Sequence, residues 1–559
     1  MGKKQKGKTY YYLTESARVD GKPRIVSQQY LGSAEEIAQR LSESGPGEPD
    51  RSRHLAFGDL AGVWGVLGRL GVAEIIDEVV GSRRSDAAAS VGTYLALATL
   101  NRVVAPCSKL AFAEWWETTA GDRVVGQLSQ GALDHRRFWD AMDMISPTQL
   151  IEIERRVTQR MVETYEVDVS GLALDMTNFA TFIDSANDRV PIAQRGKAKQ
   201  KRNDLRLVGL GLVVSVDGGI PLVSHAYAGN RHDSSQFAHV VAELVERFGS
   251  IGQGEDGLTV VFDAGQNSAD NLELLEGAPV HFIGSTPPSD HLDLMAVPKS
   301  RYKAVDPERF EGLSAFESTK VVFGHQRRIV VTFSQDFFDE QAAGFEQTLA
   351  KARRQLSDVA ARLARGGGRK SRAKVEAEIE GIIGPRWLSR VISTTLVGTD
   401  PSEVRLTWRS DARAKAALAD ELFGKRVIFT DREEWSITDV VAGYRSQSEA
   451  EADFRQMKDR RVVSFSPMFH WTDQKVRVHV FYCVLALMVA RLMRRETERA
   501  GSPLSVGAFL SSLAGIQETL LLYQGERGRP RARRMLTEMG ATQQRLCDLF
   551  GLDAYAPTR

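Results

Sequence analysis

The chain has 559 residues, 42% apolar and 26% charged: an ordinary folded protein, too long for one compact core, so several structural units are expected. Lysine plus arginine (73) nearly balance aspartate plus glutamate (72), and a net charge of +1 neither requires nor excludes a polyanionic partner. Cys107, Cys483 and Cys547 lie far apart with no CxxC spacing, which excludes a disulfide framework or a zinc site and fits a reducing compartment.

Residues 1–8 are basic, lead into no apolar run and read as disordered, with no signal peptide. Residues 10–16 and 23–31 flank Val19-Asp20-Gly21, a hairpin signal, and 45–52 read as a linker. From 55 to 166 the pattern is helical: Leu60, Val63, Trp64, Leu67 and Leu70 recur at helical spacing, and Gly71 fits a stop. The texture changes at Val169. Residues 171–175, 207–216 and 220–227 read as three strands, the last two joined through Asp217-Gly218-Gly219. Helical periodicity over 232–248 and a buried strand at 258–263 follow. Residues 285–435 mix strand candidates (320–323, 328–333, 390–397, 404–408, 426–430) with a long charged helix at 337–365 and a basic connection at 366–374. Residues 437–498 are mainly helix. Their apolar stretch 480–490 is too short to span a bilayer and ends in Arg491, so it reads as a buried helix of a cytoplasmic protein. Short helices are expected after Gly501.

Asp175 ends the first predicted core strand and Asp263 the fourth. If those strands are neighbours, as in a ribonuclease-H-like sheet, both carboxylates emerge at one edge. Their repulsion calls for a cation between them, and hard oxygen ligands favour Mg²⁺ or Mn²⁺. Tyr444, Glu451 and Lys458 are spaced seven and seven. Each helical residue turns by roughly 100°, so the three line one face, with Gln447 and Phe454 close to it. A carboxylate between a tyrosine and a lysine makes a poor core stripe and suits metal and phosphate. Two metals in such a site activate the attacking water or 3′-hydroxyl and stabilise the leaving oxygen. Taken singly, an aspartate at a strand end is also a common cap, and Glu451, near Glu449 and Asp453, also reads as a solvated helix position. His225 and His232 read as a sheet residue and a helix-start residue, outside the site.

At these residues the sequence resembles the DDE-type insertion-sequence transposases, in particular the IS-four-like branch with its Tyr-Arg-Glu-Lys signature. Asp175-Met176-Thr177-Asn178-Phe179 is similar to the first-aspartate motif. Phe262-Asp263-Ala264-Gly265 with Asn267-Ser268 is similar to the second, and Tyr444 to Lys458 to the third. Similarity extends to Gly229-Asn230-Arg231-His232-Asp233, to Phe469-His470-Trp471-Thr472-Asp473 and to the amino-terminal hairpin. Gln447 stands where the signature has arginine; Arg445 is nearby but about 200° around the helix.

The resemblance implies an α+β multidomain protein. Its parts are an amino-terminal hairpin and linker (1–50), a helical DNA-binding region (51–168), a ribonuclease-H-like mixed-sheet core (169–284 and 436–500), a β-rich insertion domain interrupting it (285–435) and a carboxyl-terminal helical region (501–559). It implies Asp175, Asp263 and Glu451 as catalytic ligands of two Mg²⁺ ions, for which Mn²⁺ substitutes. Tyr444, Lys458 and, less directly, Arg445 would contact DNA; Trp408 and Trp435 are candidates for handling a flipped base, and each reads more simply as a buried core tryptophan. The implied reaction cuts transposon ends at their terminal inverted repeats and joins the 3′-hydroxyl to target DNA, by a homodimer on paired ends, cytoplasmic and nucleoid-associated when bound.

The basic run 195–206, with Arg195, Lys197, Lys199, Lys201 and Arg202, is a candidate phosphate contact or a solvated loop. A second run from Arg353 and Arg354 through Arg365, Arg369, Lys370, Arg372 and Lys374 reads equally as DNA contact or charged helix surface. Two rival readings stand beside the transposase: another metal nuclease on the same core, which would cut without joining, and a decayed transposase that only binds DNA.

Overall fold

A computed structural model describes residues 1–5, 7–19, 22–43, 48–81, 88–184, 186–196, 204–248, 257–365, 371–401, 403–523 and 531–558. The chain opens with a three-stranded antiparallel sheet of β1 (Gly2–Gln5), β2 (Lys8–Val19) and β3 (Lys22–Ser33). Residues 1–8, expected to be disordered, thus supply a strand. Gly2 to Gln5 pair with Tyr11 to Lys8, because an open strand edge offers backbone hydrogen bonds whatever the side chains. The hairpin tip at Asp20-Gly21 lies outside the described residues.

After β4 (Arg51–Ala56) the chain is helical as expected, with α1 (Gly58–Arg69), α2 (Val91–Val104) and α3 (Pro147–Tyr165) among its helices. The starts are written locally. Ser90 Oγ accepts the Thr93 N–H at 3.0 Å, and Ser146 and Gln149 form a capping box around Pro147.

Next come β5 (Gly171–Thr181), β6 (Arg206–Ser215), β7 (Pro221–Ala228), α4 (Ser234–Phe248), β8 (Leu258–Phe262) and β9 (Val280–Thr286), in the predicted order. Gly218 and Gly219 turn the chain between β6 and β7 with φ of 86° and 66°, where side chains are disfavoured. One expectation is corrected: Asp175 does not end its strand. β5 runs on to Thr181 because each residue finds a partner on β6, down to Thr181 opposite Arg206.

Farther along lie β10 (Lys303–Ala304), β11 (Leu313–Val322), β12 (His325–Ser334), α5 (Gln335–Ala364), the hairpin β13 (Ile392–Val397) and β14 (Arg405–Ser410), and β15 (Lys425–Thr430). Here too the expectation is corrected. Residues 285–435 do not make a separate β-rich domain. β15, β12, β11 and β10 extend the central sheet past β9, giving nine mixed strands in the order β10-β11-β12-β15-β9-β8-β5-β6-β7. The outer edge of β9 would otherwise be unpaired, and β15 covers it, Val427 opposite Thr286. Outside the sheet this segment is α5, the β13–β14 hairpin and shorter helices.

The chain then forms α6 (Ile437–Arg445), α7 (Gln447–Lys458) and α8 (Asp473–Arg499). α4 covers one face of the sheet, and α6, α7 and α8 the other. α8 is long and apolar enough by composition to cross a membrane, but its apolar window is 94% buried between β7 and α2. It joins the helical region and the sheet into one apolar core. The tail after residue 501 holds helices and also β16 (Gln517–Tyr523) and β17 (Arg531–Leu536). β16 pairs with β17 on one side and with β4 on the other, so the expected linker and the expected all-helical tail meet in one small sheet.

Candidate active site

β5 and β8 are parallel neighbours, with Leu174 opposite Phe262, so the next position sets Asp175 beside Asp263. Neighbouring strands lie roughly 4.8 Å apart. Side chains alternate along a strand, and Val261 belongs to the apolar core under α6, so both acids fall on the face that α6 and α7 cover. Asp175 Oδ1 accepts the Met176 N–H at 2.7 Å, and Asp263 Oδ1 accepts the Ala264 N–H at 2.7 Å. Asp263 therefore also does the capping work its residue type suggests.

Glu451 is exposed on α7. With Asp263 it lines a cleft of about 400 Å³ whose wall includes Tyr444, Arg445, Gln447 and Arg426. Asp175 lies one strand away and does not line that cleft. Among the described residues, ligand atoms within 4.8 Å of one another occur at Cys547, Asp548 and Asp553, and not at the three predicted acids.

α7 is held from its opposite side. Ala450, Asp453, Phe454 and Met457 are buried, and Asp453 is about 200° around the helix from Glu451. Burial pushes the Asp453 carboxyl up to about 8, opposed by its ion pair with the buried Arg491 of α8. Arg491 and Arg494 also reach Glu449 Oε2, each at 3.4 Å. At the far end of α7, Lys458 Nζ donates to Thr177 Oγ1 at 3.0 Å, two residues beyond Asp175 on the same face of β5.

Of the stripe predicted through Tyr444, Glu451 and Lys458, Tyr444 and Glu451 line one cleft from two successive helices, and Lys458 reaches Thr177 instead. Ser446 interrupts the helix, its hydroxyl donating to the Gly443 carbonyl, and Tyr444 belongs to α6. Tyr444 is buried, and its hydroxyl donates to Ser285 Oγ at 3.0 Å. Arg445 is exposed, with its guanidinium 4.8 Å from the Phe310 ring; burial and the charge of Arg426 hold its pKa below the usual arginine value. Gln447 is buried in the same wall, and among the described residues its Nε2 has no hydrogen-bond partner.

Arg426 escaped the sequence reading. It projects from β15 over the Phe337 ring at 4.2 Å and the Tyr444 ring at 5.9 Å. Among the described residues, neither Arg426 nor Arg445 is ion-paired. Only the joining of β15 to the central sheet brings Arg426 here, so no motif could have marked it.

Trp435 is half-buried against the core under α6, with Arg432 4.8 Å from its ring, and it does not line the cleft. Trp408 is packed on the main core from β14. Arg195 is exposed, while Lys197, Lys199, Lys201 and Arg202 lie outside the described residues, as do Arg369 and Lys370. Arg353 donates to Ser410 Oγ and Arg372 pairs with Glu376, so part of the second basic run is engaged within the fold. His225 lies in β7 against Gln236 and His239, its pKa lowered to about 4, chiefly by burial.

No family model and no curated protein matches the chain. Among solved structures, it is similar to piggyBac transposase in a synaptic complex with hairpin DNA, at 9% identity and a TM-score of 0.39, over 80% of this chain and 79% of that one. At that level of likeness nothing about this chain follows from the neighbour.

Proposed function

We propose that this protein is a DNA transposase of the DDE type, with a ribonuclease-H-like core, that cleaves transposon ends and transfers the 3′-hydroxyl to target DNA. The observation that carries the reading is the β5–β8 register, which makes Asp175 and Asp263 neighbours on the face crossed by the Glu451 helix. The order β7-β6-β5-β8-β9, with β5 and β8 parallel and β6 antiparallel to both its neighbours, supports the core assignment.

Three carboxylates and no sulfur or imidazole suit Mg²⁺ or Mn²⁺. When bound, such ions activate the attacking hydroxyl and stabilise the leaving oxygen. The acids lack the tight spacing of a closed cage, and a site that a phosphate oxygen helps to complete fits that openness. Arg426 and Arg445, held by aromatic rings rather than neutralised by carboxylates, would grip a phosphate in the cleft. Lys458, tethered to Thr177, would place a further positive charge beside β5. The acting form would be a homodimer on two paired ends, in the cytoplasm and on the nucleoid.

The test is cleavage of labelled transposon-end DNA with Mg²⁺ or Mn²⁺, comparing the natural protein with Glu451→Gln. Cutting followed by joining is expected. The variant should lose both by about two to three orders of magnitude, the cost of removing a group that stabilises developing charge. Cutting without joining would indicate a nuclease. Binding without cutting, equal in the two proteins, would indicate a DNA-binding relic.

A further inference from the structure

The amino-terminal sheet carries a charge that the rest of the chain does not. Residues 1–33 hold seven lysines and arginines and two acids, a net of +5; the whole chain nets +1, so the remainder carries −4. The cations sit at the two ends of the sheet. Lys3, Lys4 and Lys8 stand where β1 pairs with β2, and Arg18, Lys22 and Arg24 at the far end of β2 and β3, all exposed. Among the described residues none of the six forms an ion pair.

Between these ends one face lies open. Side chains alternate along a strand, and in β2 Tyr10, Tyr12 and Thr14 are half-buried while Tyr11, Leu13 and Glu15 are exposed. Tyr12 packs against Tyr30 at 5.3 Å, with Lys3 5.1 Å from its ring. On the open face Gln29 lies opposite Leu13, and Ser27 opposite Glu15. Leu13 is 62% and Val26, farther along β3, 53% accessible. The helix Ala34–Glu43 packs on β2 and β3, yet among the described residues none of 1–50 joins either apolar core. Apolar side chains left in water beside all the excess positive charge mark a surface for an anionic partner.

Shape decides which polyanion fits. β1 is four residues long, so beyond it the sheet is a two-stranded ribbon. Its strands lie about 4.8 Å apart, and twelve residues span about 40 Å. The major groove of duplex DNA is about 12 Å wide and admits such a ribbon. One turn of the duplex rises about 34 Å, so cations at the two ends of the ribbon reach phosphates while its middle meets base edges. A flat lipid surface would meet the cations but desolvate Gln29, Ser27 and Glu15 without giving them partners.

We propose that the β2–β3 ribbon enters the major groove of duplex DNA with its Tyr11, Leu13 and Gln29 face toward the bases. Tyr11 and Leu13 pack on thymine methyls, Gln29 pairs with adenine, and Glu15 accepts from the cytosine amino group. The sequence resemblance instead places DNA contact in the helical region 51–168, whose helix α2 is almost wholly buried. The inference rests on the transposase reading only for DNA as the partner, and it uses neither the three acids nor their cleft.

The test reads binding by the full chain without divalent metal, so that no cutting enters. The probe is a labelled mixed-sequence duplex of thirty base pairs, followed by fluorescence anisotropy over a range of salt. Lys4→Gln, Arg18→Gln and Arg24→Gln together should make the fall of log affinity with log salt shallower by about 0.9 for each cation removed. The set Lys4→Arg, Arg18→Lys and Arg24→Lys should keep the natural slope, which separates lost charge from lost fold. A second duplex, with glucosylated hydroxymethylcytosine in place of cytosine, has the same phosphates and a filled major groove. It should bind about tenfold more weakly, the scale of one good base-edge contact, and Tyr11→Ser with Gln29→Ala should shrink that difference. Equal affinity for the two duplexes, equal affinity for a single strand of the same length, or no duplex binding would overturn the proposal. Duplex binding with an unchanged slope in the glutamine variant would sink this inference and leave the transposase reading standing. The expected slopes in a natural protein that cuts no DNA would sink that reading alone.

Discussion

Gln447 and Arg426 show what single residues contribute here. The resemblance implies a cation at position 447, and the chain instead buries a neutral amide there, while an arginine from β15 reaches the same cleft. Lys109 offers a sharper test of local environment. Burial lowers its pKa from 10.5 to about 7. Between those values the unfolded chain holds a proton that the folded protein has released. The stability linked to Lys109 is therefore fully present above pH 10.5, falls as pH drops to about 7, and is flat below that. The slope is up to about 1.4 kcal/mol per pH unit. Urea unfolding of the natural protein and Lys109→Met at pH 7 and 9 should show the gap moving by about 2–3 kcal/mol in favour of the natural protein at pH 9. A constant gap would mean that the lysine stays charged when folded.

At the scale of elements, the placement of Glu451 depends on what holds α7. The Asp453–Arg491 pair fixes the back of that helix to α8, and both side chains are buried. Removing one partner of such a pair leaves the other stranded, at a cost of about 3–5 kcal/mol. Arg491→Met should lower unfolding stability by that amount. Asp453→Leu combined with Arg491→Met should recover most of it, since an apolar pair of similar size needs no counterion; no recovery would show that the charges do more than hold the helix. Element types were legible wherever periodicity was strong: the strands around Asp175 and Asp263, the helix α4 and the buried helix α8. The end of β5, the break at Ser446 and the strand β1 were not, because strand pairing and a serine hydroxyl set them, and side-chain periodicity carries neither signal.

For the whole molecule, the two ends of the folded chain depend on each other. β4 pairs with β16, and the buried Glu518 of β16 is held by Arg123 of the helical region and Arg534 of β17. A chain ending after Gly501 should leave residues 51–69 at least about tenfold more sensitive to trypsin, equivalent to about 1.4 kcal/mol of local stability. Unchanged resistance would mean that the helical region stands without the tail. The amino-acid sequence by itself determined the run of elements from 171 to 263, the buried character of α8 and the choice of Asp175, Asp263 and Glu451 as candidates, because periodicity and residue chemistry are local properties. Only the tertiary structure decided that β15 extends the central sheet and carries Arg426 to the cleft lined by Tyr444 and Glu451, and that Lys458 reaches Thr177 of β5. Those outcomes depend on which strand edges and apolar faces find each other across hundreds of residues, and no window of sequence contains both partners.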